Sequence, residues 1–116
     1  MFGVNFTMNY LQKRFSKIEK KTRRNYEIDD NLYIELENIS KYYQASVADL
    51  INASIEYLIE TENINLYKKS NNQISVTHTI LILESNIKGL EYLKEKYGVS
   101  IYKLVNIAIK NALKDV

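Results

Sequence analysis

Very little in these 116 residues can make or break a covalent bond. There is no Cys and a single His, at position 78. Thiolate nucleophiles, thiolate metal sites and disulfides are therefore excluded, and one imidazole falls short of the two or three common in metal centres. The three glycines, Gly3, Gly89 and Gly98, are scattered and build no phosphate-cradling loop. The adjacent carboxylates Asp29 and Asp30 sit where a helix N-terminus favours negative charge, which accounts for them without catalysis. No Ser-His-Asp grouping or metal-ligand cluster occurs at a meaningful spacing. The expectation is a protein that is no enzyme and needs no metal, cofactor or small-molecule substrate.

What the chain does hold is charge, unevenly placed. The net charge is only +2, but residues 1 to 24 carry Lys13, Arg14, Lys17, Lys20, Lys21, Arg23 and Arg24 against Glu19 alone. Residues 25 to 64 carry nine acids against Lys41, and residues 65 to 116 carry eight basic against four acidic groups. A basic stretch of this density beside a fold is the electrostatic footprint of a phosphate-backbone ligand, and equally of a solvated tail. Hydrophobic residues at 46% and charged residues at 26% are ordinary for a single compact globular domain. No apolar run approaches the roughly 20 residues that span a bilayer, and Met1 to Met8 lacks the apolar stretch of a signal peptide. A cytoplasmic protein with no membrane partner is expected.

The elements that position these groups come as one unit written twice. Sliding residues 25 to 59 onto 79 to 113, an offset of 54, gives eight identities: Ile28/Ile82, Leu36/Leu90, Glu37/Glu91, Tyr43/Tyr97, Ser46/Ser100, Leu50/Leu104, Asn52/Asn106 and Ile55/Ile109. Further apolar positions fall in step, among them Ile39/Leu93, Val47/Ile101, Ile51/Val105 and Ile59/Leu113. Each copy opens with a short alternating segment, Arg23 to Ile28 and Val76 to Leu83, that predicts a strand. A first helix follows, with apolar residues at Leu32, Leu36, Ile39 and Tyr43, and at Ile87, Leu90, Leu93 and Tyr97. Asp30 or Asn31 would cap the first copy and Ser85 the second. Gly98 suits the left-handed residue after a helix, whereas the first copy places the costlier Gln44 there. A second, strongly amphipathic helix opens at Ser46 and again at Ser100.

A lone strand cannot satisfy its own hydrogen bonds, so the two copies need one another. The order of strand, capped helix, turn and Ser-headed helix resembles the ribbon-helix-helix family of DNA-binding proteins, the MetJ/Arc/CopG type, here as a tandem pair in one chain. The fold implied is mostly α with a two-stranded antiparallel β-ribbon, two units making one pseudo-twofold domain. The divisions are a basic arm (1–22), unit 1 (23–62), a polar linker (63–75) and unit 2 (76–116). Within the arm, Tyr10, Leu11, Arg14, Phe15 and Ile18 can line one side of a short basic helix.

The resemblance implies double-stranded DNA as the partner, with the ribbon in the major groove and alternate strand side chains reading bases. The family spacing before the second-helix Ser turns Tyr26, Ile28, Ile80 and Ile82 toward the core. Arg23, Asn25, Glu27, Thr77, Thr79 and Leu81 then face the bases, with His78 on the inward side as a packed residue. Chemically the set is usable: Arg donates twice to guanine, Asn pairs with adenine, Glu accepts from cytosine, and Thr or Leu touches a thymine methyl. Glu27, however, is repelled by phosphates, and Leu81 is an unusual exposed group.

The second-helix N-terminus is the family's phosphate contact. Ser46 heads a turn whose Asp49 competes with an incoming phosphate, whereas Ser100, Tyr102 and Lys103 carry no acid. With Arg24, Lys20 and Lys21 they complete the expected phosphate-contacting set, weighted toward unit 2 and the arm. Cys-free tandem chains of this size are similar in style to viral or plasmid regulators, which places the chain in a host cytoplasm if viral. Plasmid partition, copy control and antitoxin roles stay open, as do a degenerate ribbon-helix-helix protein-interaction module and self-association of tandem chains on adjacent sites. The sequence stops at Val116 soon after the last helical pattern, which lowers the antitoxin reading.

Overall fold

Two nine-residue strands set the frame. In the computed structural model, which describes residues 19–65 and 74–114, the chain runs β1 (Lys21–Asp29), α1 (Asp30–Tyr43), α2 (Val47–Thr61), β2 (Ser75–Leu83), α3 (Glu84–Tyr97) and α4 (Ile101–Lys114). The fold is therefore mostly helical, four helices with one two-stranded antiparallel sheet. The basic helix expected at Tyr10 to Ile18 lies outside the described residues. Among the described residues no helix is long and apolar enough to cross a membrane, and no group of three or more His, Cys, Asp or Glu is placed to hold a metal ion.

The strands pair from Lys21 opposite Leu83, through Asn25 opposite Thr79, to Asp29 opposite Ser75. This ribbon takes in Lys21 and Thr22, expected in the arm, and Ser75, expected in the linker, because the ladder continues up to the residue before each following helix. It also explains the helix starts. The caps are Asp29 and Leu83, earlier than Asp30, Asn31 or Ser85, and neither makes a side-chain capping bond. The backbone N–H of Asp30 instead donates to the Ile74 carbonyl (2.8 Å), and that of Glu84 to the Lys20 carbonyl (3.1 Å). The opposite strand thus takes over part of what a cap normally does for the unpaired first N–H groups. Ser85 N–H is met from outside the helix by the Glu19 carboxylate (2.9 Å). Hydrogen bonds from the Ser85 hydroxyl and backbone hold that carboxyl below its ordinary value.

At their C-termini three helices end in left-handed residues: Gln44 (φ 56°), Glu62 (φ 49°) and Gly98 (φ 65°). Glycine adopts that conformation without a Cβ clash, so Gln44 and Glu62 each carry a backbone cost. At Glu62 the strain is offset by contacts across to α3. Its carboxylate takes the Lys96 ammonium (2.7 Å) and the Tyr97 hydroxyl (2.6 Å).

The core forms one cluster in which Tyr26, Ile28, Ile80 and Ile82 from the ribbon meet Ile51, Ile55 and Leu58 of α2, Leu90 and Leu93 of α3, and Leu104, Val105 and Ile109 of α4. Packing is crosswise: α2 lies on β2, and α4 lies on β1. Two buried asparagines fix that arrangement. Asn52 on α2 donates to the Leu81 carbonyl (2.9 Å) and accepts from the Leu83 N–H (2.9 Å). Asn106 on α4 donates to the Glu27 carbonyl (2.9 Å) and accepts from the Asp29 N–H (2.9 Å). Each amide also donates one turn back along its own helix, to Ala48 or Tyr102. The carboxamides thus complete strand groups that a two-stranded ribbon leaves unpaired on its outer edges.

Replacing either side chain leaves a strand N–H and a strand carbonyl without their partner together. Asn52→Ala and Asn106→Ala are each expected to lower unfolding free energy by about 2–4 kcal/mol in urea titrations. Gln44→Gly, which relieves the left-handed strain, is expected to raise it by about 1 kcal/mol.

Candidate nucleic-acid interface

Because side chains alternate along a strand, one face of the ribbon is covered by the helices and the other is open. Tyr26, Ile28, Ile80 and Ile82 are buried, whereas Arg23, Asn25, Glu27, Thr77, Thr79 and Leu81 are all exposed. The six residues assigned to base contact therefore share one solvent-facing surface. Across it they pair as Arg23 with Leu81, Asn25 with Thr79, and Glu27 with Thr77. At the centre the Thr79 hydroxyl donates to Asn25 Oδ1 (2.6 Å). That bond orders the middle pair and leaves the Asn25 amide nitrogen as its donor group toward a ligand.

His78 takes the inward parity expected of it. Its ring stacks on Tyr33 with centroids 3.7 Å apart and planes 2° from parallel, so it acts as packing. Arg24 shares that parity, opposite Ile80, yet is exposed. It leaves the ribbon on the helix side and is not part of the open face.

The crosswise packing sets one helix N-terminus at each end of the ribbon. At the end carrying Arg23 and Leu81, α2 begins beside β2, with Ser46 Oγ accepting from the Asp49 N–H (3.0 Å). At the end carrying Glu27 and Thr77, α4 begins beside β1, with Ser100 Oγ accepting from the Lys103 N–H (3.3 Å). The Val47 and Ala48 N–H groups, and those of Ile101 and Tyr102, have no acceptor within their own helices. A groove of about 430 Å³ lined by Arg23, Tyr33, Val47, Ala48, Thr79, Ile80 and Leu81 joins the open face to the first turn of α2. The surface can thus meet a polyanion at two flanks and a row of hydrogen-bonding edges between them.

Among the residues assigned to phosphate, Ser46, Ser100 and Lys103 are exposed at these two helix ends, and Lys20 and Lys21 are exposed where the chain enters β1. That entry lies next to Leu83, at the α2 end, so Lys20 and Lys21 stand at one flank and Lys103 at the other. Tyr102 is placed differently. Its hydroxyl donates to Asp29 Oδ1 (2.8 Å), and burial followed by that bond raises its pKa. Its proton serves an internal carboxylate, which argues against a phosphate role for this side chain. Asp29 itself is fully buried, and its Oδ2 has no hydrogen-bond partner among the described residues.

The residues that the sequence reading missed are Asn52 and Asn106, which hold both edges of the ribbon. A signal was present. They are the one polar identity inside the apolar stripe of the second helix, at the same place in both copies. No protein-family model, curated protein or solved structure matches the chain.

Tyr102→Phe removes the hydroxyl's hydrogen bond to the buried Asp29 carboxylate together with its contact to Ser75, and leaves the open face untouched. Thermal unfolding is expected to show a loss of about 1–2 kcal/mol, with ligand affinity of the folded protein unchanged.

Proposed function

We propose that this chain is a sequence-specific double-stranded DNA-binding protein that lays β1 and β2 in the major groove and acts as a transcriptional regulator. In this reading it is no enzyme, and its two strand-helix-helix stretches are ribbon-helix-helix units related by an approximate twofold axis through the Asn25–Thr79 pair. The reading is carried by the open ribbon face, with three alternate side chains from each strand exposed between two helix N-termini. A two-stranded ribbon fits the major groove, and Arg, Asn, Glu and Thr there match base-edge donors and acceptors. The twofold is supported by equivalences at the offset of 54: Asn25 faces Thr79, and Asn52 holds Leu81 and Leu83 as Asn106 holds Glu27 and Asp29.

Phosphate contact divides between the flanks. At the α4 end the Ser100 turn carries Lys103, whose cation suits a phosphate although it opposes the free helix dipole. At the α2 end Asp49 competes for the same N–H groups, and the cations come from Lys20 and Lys21. An acidic stretch at residues 25 to 64 and the exposed Leu81 favour the second reading, a protein-interaction module of the same fold.

Fluorescence anisotropy on mixed-sequence duplex DNA across a salt series separates the two. The expected slope of log K against log salt is steeper than about −3, and Lys103→Ala is expected to flatten it by about one. The double variant Arg23→Ala, Thr79→Ala is expected to lose specific binding while remaining folded. No binding at low salt would overturn the proposal and favour the protein-partner reading. Because the ribbon pairs within one chain, sedimentation at micromolar concentration is expected to show a monomer; an obligate dimer would sink the single-chain ribbon.

A further inference from the structure

The open face differs at its two ends in a way no pair of identical strands could. Exchanging the strands by the offset of 54 carries position 23 to 77 and position 27 to 81. One end therefore presents Arg23 beside Leu81, and the other presents Thr77 beside Glu27. A guanidinium is replaced by a hydroxyl and an aliphatic side chain by a carboxylate. All four side chains are exposed, and neither Asn52 nor Asn106 bonds to any of their side chains, so the fold does not dictate the differences.

We infer that the protein binds DNA in one direction only, on a non-palindromic site with different base pairs at its two ends; the inference rests on the DNA-binding reading above. Arg23 is a donor only and suits the paired acceptors of guanine, O6 and N7. Leu81 beside it offers nothing polar and suits a thymine methyl. At the other end the ionised Glu27 only accepts, so it needs an amino group, that of cytosine N4 or adenine N6. A palindrome would bring to Glu27 the base that Leu81 meets at the first end. A thymine there sets its O4 acceptor against the carboxylate. It would likewise bring to Thr77 the guanine that Arg23 reads, where a hydroxyl cannot donate twice. Rotating the protein by half a turn on a site optimal for one orientation makes both mismatches at once, so orientation is fixed by base chemistry. The flanking helices differ in the same sense, Asp49 at the Arg23 end and Lys103 at the Glu27 end.

The experiment is selection of the full chain on a random duplex library followed by sequencing, run beside the variant Thr77→Arg, Leu81→Glu, which makes the outer positions of the two strands alike. Both substitutions lie on the open face and spare the core. The wild-type chain is expected to enrich a non-palindromic motif with a G·C pair toward one end. Making that motif symmetric on either half is expected to weaken binding about tenfold or more. The double variant is expected to shift the enriched motif to a palindrome. A palindromic wild-type motif, or a double variant that enriches the same motif as wild type, would overturn the directionality while leaving the ribbon a DNA reader. Absence of any enrichment, with no retention of bulk duplex at low salt, would instead overturn the DNA-binding reading itself.

Discussion

Everything on the open face depends on two carboxamides buried behind it. A two-stranded ribbon has two bare edges, and each edge here is closed by a single asparagine reaching over from the helix that follows the other strand. Those bonds join side chain to backbone, so they hold regardless of which residues the strands display. They also fix register. A slip of one residue would break both clasps and turn Ile28 and Ile82 to solvent. The outer residues are free to vary because the inner ones and the asparagines are not.

The two clasps are alike in geometry but not in surroundings. Asn52 gains a buried neighbour, Asn86, whose amide donates to both its carbonyl oxygens, the backbone O and Oδ1 (3.0 Å each). In the first copy the position matching Asn86 is Leu32, a core residue. Asn106 has beside it the Asp29 carboxylate and the Tyr102 hydroxyl instead. The polar interior therefore differs on the two sides of one shared apolar core. Each version satisfies most of its groups, as buried polar networks must; among the described residues Asp29 Oδ2 and His78 Nε2 are buried without a hydrogen-bond partner.

The order of elements was legible because apolar spacing changes period where strand gives way to helix, and because Ser46 and Ser100 carry their caps locally. The faces of the ribbon were legible too, since Tyr26, Ile28, Ile80 and Ile82 needed only alternation and the spacing to the second helix. What stayed hidden was set by particular partners far away in the sequence. The starts of α1 and α3 moved upstream because carbonyls of the opposite strand, at Ile74 and Lys20, receive their first N–H groups. Tyr102 read as a surface phosphate ligand because nothing near it in sequence reveals Asp29, 73 residues away. Glu62 in a left-handed conformation is unremarkable as a sequence and makes sense only with Lys96 and Tyr97 alongside.

The clasp on β1 has a consequence for the order in which the fold can be assembled. Asp29 and Glu27 find their partner in Asn106, 77 and 79 residues further on. Until β2 is made β1 has no paired strand, and until α4 exists its outer edge has no cover. Helices α1 and α2 can form early from local contacts, but they have no sheet to close over. The entropy of closing so long a loop is lost before any contact across it is gained, which slows folding. During synthesis, then, β1 emerges among the first folded-state elements and becomes structured among the last, an exposed strand edge for most of its own translation.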